Sequence, residues 1–384
     1  MVTVVRGQWH RQLLGRKGPC AGARLRAALA ILLGFGVGLL LSGCAGRDGP
    51  KPGEEPEYVL IPPPPEQPRI QFLASYSKDL DVLAPLSGMR RFIVGDREGR
   101  ELAKPYGVAI HDGQLLVCDT KLGIVAVFDL VAETLEILGE GPNGQLGKPI
   151  NITVDDDGTR YVVDSELNRV MVYDADNRYV RAIGDPEAWA PTDVAILGKR
   201  LYVTDKKKGQ IVLVEKMTGE ELRRFDQPSE GEDNLYLPTN LALGVDGSVY
   251  VTETGGFRVL KFDDRGERVQ TFGSLGKMRG QFVRPKGVAV DREGRVYVVD
   301  ASTEVVQIFN ADAKLMLFFG GAGNHPGGLN IPAKVVIDYD NIDLFADRVA
   351  PGFKIEYLVI VTSQFGLNKV NVFGFLEPDE HSGG

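Results

Sequence analysis

Residues 285–300 read PKGVAVDREGRVYVVD, and their pattern recurs along the chain. A proline precedes a short apolar segment, the turn Asp291-Arg292-Glu293-Gly294 follows, and a second apolar segment then ends in an acid. Turn residues between two segments rich in β-branched residues are typical of a β-hairpin. A third segment, Val305–Phe309, and a fourth that ends in Phe319-Gly320 come next. The unit therefore contains four predicted strands.

The same unit recurs along the chain at intervals of 42 to 47 residues. Each copy begins with a proline that is followed by a large-small-large apolar triplet. The six prolines are Pro105, Pro149, Pro191, Pro238, Pro285 and Pro332. Four-stranded units repeated at this period bury their faces only against their neighbours, and closure of the array into a ring protects its ends. The sequence predicts an all-β fold, a six-bladed β-propeller of four-stranded antiparallel blades over residues 69–376.

These motifs resemble the NHL repeat, in which a proline, Gly-Val-Ala-Val-Asp, Val-Tyr-Val-Val-Asp, Arg-Val-x-Val-Phe and Phe-Gly follow one another. The match is nearly verbatim in residues 286–300, and the resemblance covers about residues 100–376. It is specific for a propeller and says little about function, because one fold hosts many functions. The resemblance also includes enzymes, notably a lyase that releases peptide amides and related lactonase propellers.

The sixth unit lacks a fourth strand of its own, because its third strand, Lys369–Phe373, nearly ends the chain. Residues Arg69–Ala74 alternate like a strand and precede the first unit. We expect this segment to pair with the last blade, so that the two ends of the repeat array close the ring.

An insertion at about residues 338–354 separates the first two strands of the sixth unit. Apolar residues at helical spacing, with Asn341 as a cap, predict a short amphipathic helix there. These residues are Ile342, Phe345, Ala346 and Val349. The helix either covers the underside of the propeller or provides a docking surface for a partner.

The N-terminal 43 residues carry six basic residues and no acidic residue, and their apolar run, Ala27–Leu41, is too short for the roughly 20 residues that a membrane span needs. Residues 1–43 are therefore predicted to be a signal peptide. Leu41-Ser42-Gly43-Cys44 resembles a bacterial lipobox, which implies lipidation of Cys44 with acyl chains such as palmitate. An ordinary signal peptide or a single-pass anchor are the alternatives. Because Ala45 is not an aspartate, the resemblance favours the outer membrane of the bacterial cell envelope.

Residues 44–68 are rich in proline and glycine and are predicted to be a tether, and residues 377–384 a disordered tail. Cleavage before Cys44 would leave 38 basic against 52 acidic residues, a formal charge of −14. This charge argues against nucleic acid as a partner. We expect a monomeric propeller that contacts the membrane through its lipid anchor.

Polar residues occupy the positions where the inner strands begin, around the predicted channel mouth. Alignment on the prolines gives four candidates for ligand or cation binding: Asn151, Asp193, Asn240 and Lys334. The side-chain oxygens of Asn151, Asp193 and Asn240, in three adjacent blades, could form a half-shell for a hard cation such as Ca²⁺. The alternative is that Asn, Asp and Gly recur because a tight turn requires them. No other cofactor is expected, since His111, His325 and His381 share no motif.

A second set of candidates consists of basic and aromatic residues in strand-end loops, all predicted on one face. This rim comprises Tyr106, Lys121, Arg169, Lys206, Phe257, Arg258, Lys286 and Lys369. A basic rim on an acidic body could bind an acidic protein or glycan. Ordinary solvated loops would explain the same charges.

No residue is predicted to be catalytic. The acids that end the second strands recur in blade after blade, and repetition points to a structural role; they are Asp119, Asp164, Asp205, Glu253 and Asp300. The sequence therefore favours a lipid-anchored, extracytoplasmic, non-catalytic propeller that binds an envelope protein or polysaccharide. The alternative is a propeller enzyme of the lyase or lactonase type with a divalent cation in its channel.

Overall fold

The computed structural model describes residues 58–83, 99–225 and 234–379. Six antiparallel sheets form a ring of six blades, and blades 1 to 5 each contain four consecutive strands. The predicted propeller is confirmed.

The strands of the first five blades are numbered from the inside of each blade outwards. Blade 1 contains β3 (Pro105–His111), β4 (Gln114–Asp119), β5 (Ile124–Asp129) and β6 (Thr134–Leu138). Blade 2 contains β7 (Pro149–Val154), β8 (Arg160–Asp164), β9 (Arg169–Tyr173) and β10 (Tyr179–Ile183). Blade 3 contains β11 (Pro191–Leu197), β12 (Arg200–Asp205), β13 (Gln210–Glu215) and β14 (Glu221–Phe225). Blade 4 contains β15 (Pro238–Leu243), β16 (Val249–Glu253), β17 (Arg258–Phe262) and β18 (Arg268–Phe272). Blade 5 contains β19 (Pro285–Val290), β20 (Val296–Asp300), β21 (Val305–Phe309) and β22 (Leu315–Gly320).

Blade 6 joins the two ends of the chain. From the inside outwards it contains β23 (Pro332–Asp338), β24 (Phe353–Ser363), β25 (Val370–Pro378), β2 (Ile70–Tyr76) and β1 (Leu60–Ile61). Strand β2 lies antiparallel to β25, with Phe72 opposite Phe373. The predicted closure is therefore confirmed.

Two details at this closure differ from the sequence-based boundaries. Strand β1, which pairs with β2, lies inside the stretch predicted as a tether. Strand β25 continues to Pro378, two residues into the predicted tail, because the long β24 offers a partner as far as Phe353. The remaining tether residues before residue 58, the signal peptide with Cys44, and residues 380–384 lie outside the described residues.

Every inner strand begins at one of the six repeat prolines, as predicted. Proline suits the first residue of a strand because it has no N–H to contribute to the ladder. The triplets lie on these strands, for example Val108-Ala109-Ile110 on β3, and pair with the second strand of the same blade. Adjacent inner strands contact one another around the whole ring, from blade 1 to blade 6 and back to blade 1.

The hydrophobic core is divided among the interfaces between blades. Six buried clusters each combine residues of two neighbouring blades; for example, Leu116 and Cys118 of blade 1 pack with Ile152 and Val162 of blade 2. Since no blade has a core of its own, each depends on its neighbours for burial. Burial of the Cys118 thiol raises its pKa well above the usual value, as expected for a structural cysteine.

The insertion of blade 6 contains a short 3₁₀ helix, Ile342–Arg348, rather than an α-helix. Phe345 is fully buried where blades 6 and 1 meet, and Ile342 and Val349 pack against the same cluster, whereas Ala346 is exposed. The Gln71 side chain of β2 donates to Arg348 O at 2.7 Å and accepts from Ala350 N at 2.9 Å. The insertion thus covers the junction at which the ring closes.

One further 3₁₀ helix, Asp79–Asp81, follows β2. Within the described part of the chain, no helix is long and apolar enough to cross a membrane.

Candidate binding site at the channel mouth

The two faces of the ring differ in the loops that they carry. We call the face at which the inner strands begin the entry face, and the opposite one, with the turns from first to second strands, the turn face. The insertion of blade 6 lies on the turn face, and the loops before the inner-strand prolines lie on the entry face.

The recurring acids hold the entry-face loops in place. Asp119 accepts from the backbone N–H groups of Ala103 and Lys104 at 2.6 and 2.9 Å, and from those of Lys121 and Leu122 at 3.0 Å. Asp164 and Asp300 make the equivalent bonds in blades 2 and 5. A carboxylate with several N–H donors is a rigid support for the loop around it. The predicted structural role of these acids agrees with this geometry.

Two of the recurring acids lie five residues before an arginine, and they behave differently. Glu253 forms an ion pair with Arg258, and its other oxygen accepts from Tyr236 N at 2.7 Å. Asp164 acts instead as a cap for the loop backbone, and the Arg169 Nε has no hydrogen-bond partner among the described residues. Both acids serve the loop rather than a reaction.

The axis of the channel is crossed by an ion pair between opposite blades. Asp193 of blade 3 is fully buried and meets the ammonium group of Lys334, which extends from blade 6. The same carboxylate oxygen accepts from Asn240 Nδ2 at 3.2 Å and from Leu241 N at 3.0 Å. Asp193 Oδ1 accepts from Val194 N at 2.9 Å. Both carboxylate oxygens are therefore engaged.

Two inner strands carry a glycine at the position equivalent to Asp193 and Lys334, because the neighbouring inner strands approach closely there. A Cβ on Gly287 would lie 2.6 Å from Val335 N, and one on Gly107 would lie 2.5 Å from the Asn151 Cα. These glycines belong to blades 5 and 1, which flank the blade that carries Lys334. Packing, rather than ligand binding, explains them.

This arrangement gives little support to the predicted half-shell of oxygen ligands for Ca²⁺. Asn151 Nδ2 donates to Thr192 O at 2.7 Å, and the amide oxygens of Asn151 and Asn240 are buried with no hydrogen-bond partner among the described residues. Asp193, the one carboxylate among the four candidate residues, however, already faces the Lys334 ammonium group. A divalent cation beside Asp193 would lie close to that positive charge, and Ca²⁺ sites depend on uncompensated carboxylates. The ring residues therefore fit Ca²⁺ poorly.

A depression of about 280 Å³ opens on the entry face, and residues of all six blades line it, so it lies on the propeller axis. Its lining consists of Lys104, Tyr106, Thr120, Lys148, Ile150, Ser165, Thr192, Lys206, Leu237, Pro238, Thr239, Lys286 and Gln364. We call this cavity the axial depression. A second cavity, of about 260 Å³, lies along the inner strands and includes Lys334 in its lining.

Among the described residues that line the axial depression, four are lysines and none is acidic. Among the described residues, none of these four ammonium groups lies within 4 Å of a carboxylate. Lys104 instead lies 5.5 Å from the ring centre of Phe365, and Lys286 lies 5.7 Å from that of Tyr106. On a chain with 52 acidic residues and a net charge of −8, the described lining of the depression is a local concentration of positive charge. Such a site favours an anionic ligand.

The charges within the axial depression influence one another. Burial, together with the nearby Arg284 and Lys206, lowers the pKa of Lys286 to about 8. Burial and the negative charge of Asp193 raise the pKa of Tyr106 far above its usual value, so its hydroxyl stays protonated. An anion near Lys286 would offset the neighbouring positive charges and favour the charged form of this lysine.

The structure brings three of the eight predicted rim residues together in the axial depression, namely Tyr106, Lys206 and Lys286. The other five, Lys121, Arg169, Phe257, Arg258 and Lys369, are not part of its lining. The ammonium group of Lys369 is buried and lies 3.4 Å from Ala103 O, and burial lowers its pKa.

Two lysines of the axial depression, Lys104 and Lys148, were missing from the sequence-based rim. Both immediately precede an inner-strand proline, as does Arg284. This shared position in the repeat is the signal that could have identified them.

The described ranges contain no cluster of three or more histidine, cysteine, aspartate or glutamate side chains that could hold a metal ion. His111 lies beside Asp112 at 3.5 Å, and His325 contacts Pro326 O through Nδ1 at 3.1 Å. His111 is the last residue of β3 in blade 1, and His325 lies in the loop between blades 5 and 6, so the two histidines share no site.

Comparison with solved structures supports the fold. A gluconolactonase from Xanthomonas campestris aligns with a TM-score of 0.53 and 16% identity, over 80% of this chain and 98% of that chain. A protein of unknown function from Bacteroides thetaiotaomicron aligns with a TM-score of 0.55 and 17% identity, over 73% and 71% of the two chains. Virginiamycin B lyase from Staphylococcus aureus gives a TM-score of 0.50 and 12% identity, over 72% and 96%. No family model and no curated protein matches this sequence. At these identities the likeness shows the six-bladed propeller fold alone.

Proposed function

We propose that this protein is a non-catalytic binding propeller of the NHL-like type, which holds an acidic envelope ligand at its entry face. The observation that carries the proposal is the axial depression, where four lysines converge and no carboxylate belongs to the described lining residues. Loops held by the recurring acids present Lys104, Lys148 and Lys206, whereas Lys286 lies on β19. Because the backbone that carries these lysines is already ordered, binding costs only the entropy of ordering their side chains.

Lipidation at Cys44 is part of the same proposal and rests on the sequence alone. An acylated Cys44 followed by a proline-rich tether would hold the propeller near the surface of a bacterial membrane, with the outer membrane favoured. Each buried methylene group contributes about 0.8 kcal/mol, so several acyl chains give durable attachment.

The enzymatic alternative has less support from the residues on the axis. A lyase or lactonase of the type considered above would use a divalent cation in the channel, where Lys334 instead neutralises Asp193. Metal analysis of the purified protein separates the two functions. Stoichiometric Ca²⁺ or Zn²⁺ that is lost with Asn151→Ala would favour the enzyme.

Site-specific photo-crosslinking in native membranes tests the binding function. A photoreactive residue replaces Lys121, which is exposed on the entry face, and in a control it replaces Lys314, which is exposed in a turn at the opposite face. We expect an acidic protein or polysaccharide to be captured from position 121 only, and capture to weaken when salt concentration rises. Equal capture from both positions would contradict a binding role for the entry face.

A further inference from the structure

The size of the axial depression limits what can enter it. A stable protein interface buries about 800 Å² on each partner, which a cavity of 280 Å³ cannot provide by itself. Pockets for drug-sized molecules span about 300–1,000 Å³, so this cavity lies at the lower limit of that range. It fits one compact chemical unit, such as a single sugar ring with its charged group.

The lining combines positive charges with hydroxyl groups that are poised to accept hydrogen bonds. Thr120 Oγ1 donates to Lys104 O at 2.9 Å, and Ser165 Oγ donates to Lys148 O at 3.2 Å. Because each hydroxyl has one hydrogen, these two oxygens remain available as acceptors. The hydroxyl groups of a sugar are suitable donors for them, whereas the oxygens of a phosphate or of a simple carboxylate ion are not.

The lysines supply the complementary half of the recognition. Each ammonium group has three N–H donors at the end of a flexible side chain. It can therefore bind the carboxylate of a ligand that is otherwise uncharged. Lys206 and Lys286 line the same cavity, and the charge of Lys206 contributes to the lowered pKa of Lys286. The side chains of Ile150 and Leu237 add apolar surface to the same cavity.

We propose that the axial depression binds one acidic sugar unit of an anionic polysaccharide, with its carboxylate at Lys286 and Lys206 and its hydroxyl groups at Thr120 and Ser165. This inference rests on the proposed binding function and narrows it to one class of ligand. The site belongs to the axial depression alone, so it does not depend on the Asp193–Lys334 pair beneath it.

The test uses the full chain as the producing cell processes it, purified in detergent, and three soluble probes. Trigalacturonate carries sugar rings and carboxylates, its methyl ester keeps the rings but lacks the charge, and a triglutamate peptide has the charge without the rings. Calorimetry should detect trigalacturonate binding, with affinity at least about tenfold lower for the ester, because hydrogen bonds to charged groups contribute most.

Variants locate the binding on the protein. Lys286→Gln and Thr120→Val should each weaken trigalacturonate binding several-fold, whereas the matched control Lys314→Gln, on the opposite face, should leave it unchanged. Circular dichroism confirms that each variant is folded. Equal binding of the ester, or equal loss with Lys314→Gln, overturns the inference. If triglutamate binds through Lys286 and trigalacturonate does not, the binding function stands and the sugar assignment is wrong. If neither probe binds, both fail.

Discussion

The affinity of the axial depression for an anion should depend on pH through Lys286. Its pKa of about 8 means that about 90% of the free protein carries a charged Lys286 at pH 7 and about 10% at pH 9. A bound carboxylate raises this pKa, so the complex keeps the lysine charged in this range. Binding therefore takes up a proton as pH rises, and the affinity for trigalacturonate should fall about tenfold between pH 7 and pH 9.

Calorimetry at constant ionic strength in a series of buffers measures this dependence. Lys286→Arg is the matched control, because a guanidinium stays charged throughout this range and should flatten the profile. Tyr106 does not add to the dependence, since its raised pKa keeps it neutral. An affinity that is constant from pH 7 to 9, or one that falls equally in Lys286→Arg, would refute the reasoning.

Three further predictions concern stability and anchoring. Lys334→Met should lower the free energy of unfolding by about 3–5 kcal/mol in urea denaturation, because it leaves the Asp193 carboxylate buried without its ion-pair partner. Adding Asp193→Asn should restore much of this loss. If the effects of the two substitutions simply add in the double variant, the pairing is contradicted. Ile70→Ala should cost about 2–5 kcal/mol in the same assay because Ile70 is fully buried in the closing strand, whereas Arg69→Ala, at an exposed position, should change little. A loss for Ile70→Ala that is as small as the one for Arg69→Ala would mean that the closing strand contributes nothing to stability. Cys44→Ala should move the protein from the membrane fraction to the soluble fraction on cell fractionation, and continued membrane association would contradict lipidation at this residue.

Much of the fold could be predicted because the repeat fixes it locally. Each proline marks the start of an inner strand, each triplet marks the strand that packs on both faces, and each acid marks the loop that it caps. The closing strand followed from counting, since the last blade lacked one strand and the alternating segment Arg69–Ala74 had no other partner; the structure places it in β2. Strand β1 was not predicted, because two residues in a proline-rich stretch carry no periodicity.

The candidate site was predicted only in part. Alignment on the prolines predicted that Asp193 and Lys334 lie at the channel mouth, but it did not predict that they bind each other. They belong to blades three apart in a ring of six and therefore face each other, and a lysine side chain is long enough to cross the channel. Tyr106, Lys206 and Lys286 were predicted as a rim, yet their convergence depends on the curvature of the ring, which sequence periodicity does not specify.

The central claim is that the axial depression is the place where an anionic ligand binds. Reaction of the surface lysines with a labelling reagent, followed by mass spectrometry with and without saturating trigalacturonate, tests it most directly. The account predicts selective protection of Lys104, Lys148, Lys206 and Lys286, with Lys277 and Lys314 labelled as before. Protection of Lys277 or Lys314 to the same degree, or unchanged labelling of the four lysines at saturation, would contradict it.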